Sequence, residues 1–445
     1  MKISVAGTGY VGLVTGVCLA EMGFEVTCID IQEKRIKMLQ TGCAPFYEPE
    51  LEPLLHKNLS NGRLSFTTNP KKAYSNADII FIAVGTPENK DGTVNVDFIF
   101  NVALEIALHA KKDVIICTKS TVPIGTNDRM NMLIQRKKPP KIRMDVASTP
   151  EFLRKGTAIH DFFYGDRIVI GANTNEAALL IEQVFSPLQI PIIRTDIRSA
   201  EMIKYAANAF LATKISFMNE IAAICEKVGA NVETVAYGME KDKRIGHSFL
   251  QEGIGYGGSC LPKDANALVQ IADEMENPFE LLKAVIQVNN RQRLLPVMKA
   301  KELVGSLVGK RVALLGLAFK PGIDDIHEAA SLTIINALFH EGANVIGYDP
   351  IAVRNVEKLV GDAIEYTTDL ISALFNAEVA IIVTDWDEIK QFPLELFEIY
   401  MKEAVIIDGR NCYSLEKIQN YDITYVSIGR PSVKKDTLLN AAMIH

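Results

Sequence analysis

A cysteine, a lysine and an aspartate share a span of five positions in Gly255-Tyr256-Gly257-Gly258-Ser259-Cys260-Leu261-Pro262-Lys263-Asp264. The glycines permit positive φ and close backbone approach, and Pro262 is expected to hold off helix until the turn is complete. Such a turn presents a thiol beside backbone N–H groups. Nearby positive charge would favour the thiolate and make Cys260 a covalent nucleophile. The plainer alternative is a small residue in a tight turn, and the turn alone leaves both open. Lys204 and Asn208 form a second candidate pair. They stand four apart in an apolar run with few breakers, Ala200 to Val228, which reads as one long helix, so they share a face. An ammonium and an amide on one face suit an oxygen that gains negative charge; the alternative is a solvated lysine and an incidental asparagine.

A third candidate opens the chain. A strand, Ile3 to Ala6, runs into Gly7-Thr8-Gly9-Tyr10-Val11-Gly12, then an apolar helix to Met22, then a strand from Glu25 to Ile29 that ends at Asp30. A glycine fingerprint in this strand–turn–helix–strand–acid setting is a dinucleotide site. Gly7 makes the turn, Gly9 admits a pyrophosphate, and Gly12 lets helix pack on strand. The anion meets the helix N-terminus. Asp30 is placed to accept hydrogen bonds from ribose hydroxyls, favouring NAD; Arg35 could hold a 2′-phosphate, but Asp30 would repel one.

The elements that position these groups read as follows. Further buried strands, Asp78–Val84 and Asp113–Thr118, end beside Thr86 and Thr121. At the carboxyl ends of a parallel sheet these threonines are either ligand contacts or ordinary turn residues. Met144–Ser148, Arg167–Gly171 and Ile190–Thr195 complete a first unit. Helices dominate from Ser199, and this middle would suit a dimer interface. A third unit repeats the first: strand Lys310–Leu317, helix Ala329–His340, strand Ala343–Tyr348 ending in Asp349. Glu341-Gly342-Ala343-Asn344-Val345 matches Met22-Gly23-Phe24-Glu25-Val26, as an internal duplication would. Its first turn, Gly316-Leu317-Ala318-Phe319-Lys320-Pro321-Gly322, lacks the fingerprint, so this half is expected to take another phosphorylated ligand. Phe319, Lys320 and Arg410 fall near strand ends there, where a lysine and an arginine could hold a diphosphate. The expected fold is α/β: two Rossmann-like doubly wound parallel-sheet domains joined by a central helical domain with a long connecting helix. Boundaries are placed at 1–198, 199–300 and 301–445.

Composition narrows the function. A chain of 445 residues exceeds one typical core. Its net charge of −7 comes from interspersed charges, with no basic block for nucleic acid and no polybasic stretch for a membrane surface. The seven cysteines form no C-x-x-C pair, a reduced, cytoplasmic pattern. Scattered histidines give no expectation of a metal. The apolar stretch Lys2–Ala20 has the spacing of a strand–turn–helix and is not expected to be a targeting segment.

Together the motifs GTGYVG, VGTP, STVPIGT, TPEFLRKG, EMIKYAANAFLATKISFMNE, DKRIG, FLQEGIGYGGSCLPKD, GLAFKPG and DGRN resemble the UDP-glucose 6-dehydrogenase family, a branch of the nucleotide-sugar dehydrogenases, nearly end to end. The FLATKISFMNE run looks most like the UDP-glucose branch; the GDP-mannose and UDP-N-acetylhexosamine branches share the cysteine turn and the paired domains. The resemblance implies a four-electron oxidation of a sugar C6 alcohol to a carboxylate, with two NAD and one water. Cys260 is then the nucleophile that forms a thiohemiacetal and a thioester. Lys204 and Asn208 steady oxyanions, Asp264 orders water, and Glu151 and Thr121 belong to the same polar cluster, with Glu151 a candidate base.

The resemblance also assigns contacts. Glu151, Phe152 and Leu153, the stretch Phe249, Leu250, Gly253 and Gly257, and Phe319, Lys320 and Arg410 line the sugar nucleotide. Tyr10, Val11, Thr86, Thr121, Lys155, Lys263 and His327 fall at cofactor positions. Arg244 would reach the substrate of a second subunit, implying a homodimer. Lys155 stands where the family usually has glutamate; Ile323 and His327 stand where it usually has threonine and arginine. Three other readings compete: another nucleotide-sugar 6-dehydrogenase, acting on a UDP-N-acetylhexosamine, UDP-galactose or GDP-mannose; a two-electron hydroxyacid dehydrogenase, since a lysine and asparagine four apart recur in that superfamily; and a non-catalytic NAD-binding scaffold.

Overall fold

The structure is a computed structural model that describes residues 1–89 and 92–434; residues 435–445 of the expected C-terminal domain lie outside the described residues. The chain divides into two compact units, 1–207 and 208–445.

The first unit is built on β1 (Lys2–Ala6), β2 (Glu25–Ile29), β3 (Leu64–Thr67), β4 (Ile79–Ile82), β5 (Val114–Thr118), β6 (Met144–Ser148), β7 (Ile168–Ala172) and β8 (Ile192–Thr195). They lie in the order β3-β2-β1-β4-β5-β6-β7-β8. Strand order reverses between β1 and β4, the crevice where open α/β sheets take ligands. Every residue of β4 and β5 is buried, as expected of strands covered by helices on both faces. All neighbours pair parallel except β6 and β7, which meet antiparallel through Ala147–Ala172 and Ser148–Gly171.

The second unit carries β9 (Arg311–Leu315), β10 (Asn344–Tyr348), β11 (Glu365–Thr367), β12 (Val379–Ile382), β13 (Val405–Asp408) and β14 (Thr424–Ser427). The order is β11-β10-β9-β12-β13-β14, parallel throughout. It repeats β3-β2-β1-β4-β5-β6 of the first sheet, so the duplication legible in the helix-to-strand joints extends to the whole topology. The edge strands β3, β11 and β14 did not stand out in the sequence. They are short and partly exposed, β11 having no fully buried residue, and so carry neither a long apolar run nor a clean alternation.

The long helix runs from Ile197 to Val228, 32 residues, or about 48 Å. It starts a few residues ahead of the expected Ala200, and the boundary between the units falls inside it. Helices Val232–Glu240, Leu261–Glu274, Glu280–Gln292 and Leu295–Val304 follow in the second unit. Among the described residues no helix is long and apolar enough to cross a membrane.

Pro262 does not delay the helix as expected. Helix begins at Leu261, with Cys260 as its N-cap and Pro262 in its first turn. Proline fits there because a first-turn N–H has no intrahelical partner to lose.

Candidate active site

The dinucleotide turn follows β1. Gly7 has φ +96°, and a Cβ on it would lie 2.6 Å from the Ala83 carbonyl oxygen. A Cβ on Gly12 would lie 2.0 Å from the Gly7 carbonyl oxygen, whereas one on Gly9 would meet nothing within 4 Å. Two glycines are therefore demanded by packing and one faces open space. Gly9 is the N-cap of the helix Tyr10–Glu21, which has no side-chain cap and no acid in its first turn. Its leading N–H groups are thus left for an anion. These residues fit a bound dinucleotide.

Asp30, at the end of β2, accepts hydrogen bonds from the Thr8 N–H (2.9 Å), the Thr8 hydroxyl (2.8 Å) and the Gln32 N–H (2.9 Å). Arg35 lies 3.4 Å from the same carboxylate, so Asp30 already engages the one arginine that could have held a 2′-phosphate. Burial opposes ionisation of Asp30, but the hydrogen bonds and Arg35 outweigh it and hold the carboxyl below its ordinary range. In the second sheet Asp349 occupies the matching position. It accepts from the N–H groups of Leu317, Ala318, Ile351 and Ala352 and from the Trp386 indole. That carboxylate is fully buried and engaged by its own fold.

Around the strand ends of the first unit, Thr86 donates to the Thr121 carbonyl at 2.9 Å, so these two predicted residues meet. Glu151 is buried; its Oε2 accepts from the Leu153 N–H (2.6 Å) and its Oε1 lies 3.3 Å from Lys204 Nζ. The Phe152 ring centroid lies 3.6 Å from the Arg167 guanidinium and 5.2 Å from Lys204 Nζ. Lys155 Nζ lies 5.6 Å from the Tyr10 ring, and Val11 is half-buried on the turn.

Three buried charges in this unit have no cue in the sequence. Glu48 takes the Tyr10 phenol, whose pKa is driven far up by burial and by that carboxylate. Glu201 accepts from Gly125 N–H (2.6 Å), Asn127 N–H (3.0 Å) and Asn127 Nδ2 (2.7 Å), fastening the STVPIGT loop to the long helix one turn before Lys204. Lys119 Nζ lies 5.9 Å from the Phe81 ring and 5.6 Å from the Phe185 ring and donates to the Thr149 carbonyl at 3.3 Å. Burial lowers its pKa, with Lys204 adding to the effect and the acidic neighbours opposing it. A buried acid or lysine in a sequence signals only through its apolar neighbours, and those also surround solvated charges.

The cysteine loop belongs to the second unit. Cys260 is exposed at the N-terminus of the helix Leu261–Glu274, where helix N–H groups favour negative charge on sulfur. Ser259 Oγ lies 3.8 Å from its sulfur. Asp264, in the first turn, is buried; its Oδ2 accepts from Asn208 Nδ2 at 2.6 Å and its Oδ1 lies 2.8 Å from Lys263 Nζ. The structure therefore joins Asn208, Lys263 and Asp264. Asn208 stands one turn from Lys204 on the long helix, as the spacing required.

Buried amides, missed in the sequence, hold this loop. Asn289 accepts from the Tyr256 N–H (2.7 Å) and donates to the Tyr256 carbonyl (3.1 Å); Gln292 donates to the Gly253 carbonyl (2.7 Å). Asn219 accepts from the Gly253 N–H at 2.9 Å. A Cβ on Gly257 would lie 2.2 Å from the Glu328 carbonyl oxygen, and one on Gly258 would lie 3.0 Å from the Phe319 ring. A Cβ on Gly253 would lie 3.2 Å from the Arg410 guanidinium, and Arg410 donates to the Val383 carbonyl at 2.7 Å. Gly253 on this loop thus lies against Arg410, Gly257 against Glu328 and Gly258 against Phe319, while Leu250 is buried in a separate cluster with Met218, Ala222, Cys225, Val232 and Ile428.

Phe249 has φ +63°, a strained conformation for a bulky residue. Lys320 Nζ lies 5.8 Å from the Phe319 ring. His327 lends its carbonyl to the Gly258 N–H at 3.0 Å while its ring turns to Asp325, Nδ1–Oδ1 2.6 Å. Ile323 is buried, so the apolar residue at this position packs rather than faces solvent. Arg244 is the exception to the gathering. It is exposed and pairs with Asp242 at 2.6 Å rather than with another of the predicted residues.

Two Rossmann-like sheets, only the first with a dinucleotide turn, together with a cysteine at a helix N-terminus, define an NAD-dependent dehydrogenase. Three models of one family match in succession: the NAD binding domain over residues 1–189, the central domain over 198–291 and the UDP binding domain over 313–415. The chain belongs to the UDP-glucose/GDP-mannose dehydrogenase family. It is 54% identical over 433 residues to the UDP-glucose 6-dehydrogenase YwqF of Bacillus subtilis, covering 97% of this chain and 98% of that one. Among solved structures it resembles a UDP-glucose dehydrogenase from Pyrobaculum islandicum, with TM-score 0.89, 35% identity and coverage of 95% and 96%. It also resembles a UDP-D-ManNAc dehydrogenase from Pyrococcus horikoshii, with TM-score 0.86, 26% identity and coverage of 97% and 99%.

Proposed function

We propose that the protein is a UDP-glucose 6-dehydrogenase: UDP-glucose, two NAD and water give UDP-glucuronate, two NADH and three protons. The observation that carries the reading is Cys260 at the N-terminus of a helix whose first turn holds Asp264 against Asn208 and Lys263. A two-electron alcohol dehydrogenase has no use for such a thiol. NAD, when bound, accepts a hydride from the sugar C6 in each of two steps.

The chain's residues do the rest. Gly7, Gly9, Gly12 and Asp30 hold the cofactor. Glu151 is the candidate to take the C6 hydroxyl proton in the first oxidation. The Cys260 thiolate then adds to the C6 aldehyde, forming the C–S bond, and Lys204 and Asn208 donate to the resulting oxygen. Loss of the second hydride leaves a thioester. Asp264 accepts a hydrogen bond from the water that attacks the thioester carbon, the C–S bond breaks, and the thiolate is regenerated with the carboxylate. Gly253, Gly257, Phe319, Lys320 and Arg410 are assigned to the sugar nucleotide, and Thr86, Thr121, Lys155, Lys263 and His327 to the cofactor side.

A homodimer in the cytoplasm completes the proposal. Phe210, Phe217 and Ile224 are exposed at seven-residue intervals on the long helix, with Val228 one turn further. This is the seam that a second helix covers in a coiled pair. Arg244, exposed on its own subunit, would reach its partner's substrate. None of the seven cysteines is in a disulfide, in keeping with a reducing compartment.

The test is NADH released per limiting UDP-glucose by the purified protein. The expected ratio is near two, as four electrons require; a ratio near one would end the thioester route. Inertness toward UDP-glucose with turnover of a UDP-N-acetylhexosamine would favour another nucleotide-sugar 6-dehydrogenase, a reading supported by the likeness to the Pyrococcus structure.

A further inference from the structure

Glu48 is 5% exposed and stands outside every motif that pointed to the site. Its two carboxylate oxygens are used by two different backbone groups: the Gly156 N–H donates to Oε2 and the Ala158 N–H to Oε1, each at 2.7 Å. The Tyr10 phenol donates to Oε2 as well. The Gly156 N–H also reaches the Tyr10 oxygen at 3.1 Å, and the Tyr10 ring packs on Phe46 at 4.9 Å between centroids.

The groups gathered here come from opposite sides of the crevice. Tyr10 is the first residue of the dinucleotide helix, directly after Gly9. Gly156 and Ala158 end the loop that leaves β6 and carries Glu151, Phe152 and Leu153. In the sheet β6 is separated from β1 by β4 and β5, three strand spacings or about 14 Å. The loop must cross that distance to meet the cofactor turn, and Glu48 is where it is fastened.

We infer that Glu48 is a positioning residue, registering the Glu151–Lys155 loop against the cofactor turn through Tyr10 so that base and hydride acceptor keep a fixed relation. The inference rests on the reading of Gly7–Gly12 as the cofactor turn. It has a chemical signature. Both oxygens of Glu48 accept from N–H groups, so an amide in its place must turn an NH2 toward an N–H donor, and Glu48→Gln breaks the clamp although its shape is kept.

The test uses the whole chain. Glu48→Gln should raise the NAD dissociation constant, read by calorimetry, about tenfold, the scale of one charge-assisted hydrogen bond. It should lower kcat about tenfold or more at saturating substrates. KM for UDP-glucose should stay within about threefold, because the nucleotide contacts assigned to the second unit are untouched; a general loosening of the fold would not spare it. Tyr10→Phe, which removes one donor and keeps both N–H bonds, should give a smaller effect in the same direction. The double variant should be no worse than Glu48→Gln, since both act through one contact. NAD affinity within twofold of wild type in both single variants, or effects that multiply in the double variant, would overturn the inference. A wild-type protein that binds NAD but leaves UDP-glucose untouched sinks the substrate reading alone; the NAD titrations still decide the role of Glu48.

Discussion

Replacing Gly9 and Gly12 separately by alanine distinguishes a glycine that a ligand requires from one that packing requires. Gly9 has extended backbone angles, φ −69° and ψ −169°, which alanine adopts freely. Its added methyl would meet nothing within 4 Å. Alanine is a poorer N-cap than glycine by up to about 1 kcal/mol, and it restricts the unfolded chain by about 0.4–1 kcal/mol. These terms oppose, so Gly9→Ala should leave the stability of the protein without cofactor unchanged to within about 0.5 kcal/mol. At Gly12 the methyl would sit 2.0 Å from the Gly7 carbonyl oxygen, a backbone atom that cannot swing away. Overpacking of that kind costs about 1–3 kcal/mol or more, and at about 2–4 °C per kcal/mol for a unit of this size Gly12→Ala should lower Tm by on the order of 5 °C.

The order of effects reverses when NAD is added. On the proposed cofactor assignment the pyrophosphate approaches the helix N-terminus through the space in front of Gly9, so Gly9→Ala should weaken NAD at least about a hundredfold, or about 2.7 kcal/mol, with no loss of fold. Thermal melts without cofactor and NAD calorimetry, run on both variants, measure the two quantities. If Gly9→Ala binds NAD within threefold of wild type while melting normally, the turn is not the cofactor cradle. If it destabilises the protein as much as Gly12→Ala, the geometric distinction is wrong.

Other perturbations probe the rest of the site. Cys260→Ala should abolish UDP-glucuronate formation, and undiminished acid, measured by chromatography, would refute the covalent route. Asn208→Ala removes the donor to the buried Asp264 Oδ2 and should cost about 1–3 kcal/mol of stability and about 100-fold in kcat; denaturant melts and steady-state rates read both, and near-wild-type kcat would remove Asn208 from the mechanism. The Asp30 carboxyl is held below its ordinary range in the fold, so its contribution is present above the unfolded value of about 3.9 and lost as pH falls through the folded one. The Tm advantage of wild type over Asp30→Asn should therefore be full at pH 6 and shrink below about pH 4; a gap independent of pH would contradict it. Mixing Arg244→Ala with Cys260→Ala subunits should restore about a quarter of wild-type activity, because half the subunits pair as hybrids with one complete site each. No recovery, with subunit exchange verified by mass, would place Arg244 outside its partner's site.

Much of this protein is written in short stretches of chain. The dinucleotide turn was legible because its glycines answer to contacts within a few residues and to the neighbouring strands, and the strand, turn, helix and acid occur in sequence. The shared face of Lys204 and Asn208 follows from helical periodicity alone. The duplication was visible where helix meets strand, since the tight joint repeats. The edge strands β3, β11 and β14 were not visible, because their pairing comes from a neighbour rather than from their own pattern.

The set of elements, the glycine-rich turn after β1 and the identity of the chemical groups could be read from the chain alone. Each of these depends on interactions between residues close in the chain. Tertiary structure alone decided which groups meet. Asn208 reaches Asp264 across 56 positions, and Glu48 reaches Ala158 across 110. Only the fold shows that Asp349, at the position matching Asp30, is spent on four backbone N–H groups and an indole. It also turned Pro262 from an expected helix block into part of the first turn that Cys260 caps. The physical reason is that a buried polar group must find partners within hydrogen-bond reach, and which partners are in reach is set by how the strands are ordered, a property that no single segment of the chain carries.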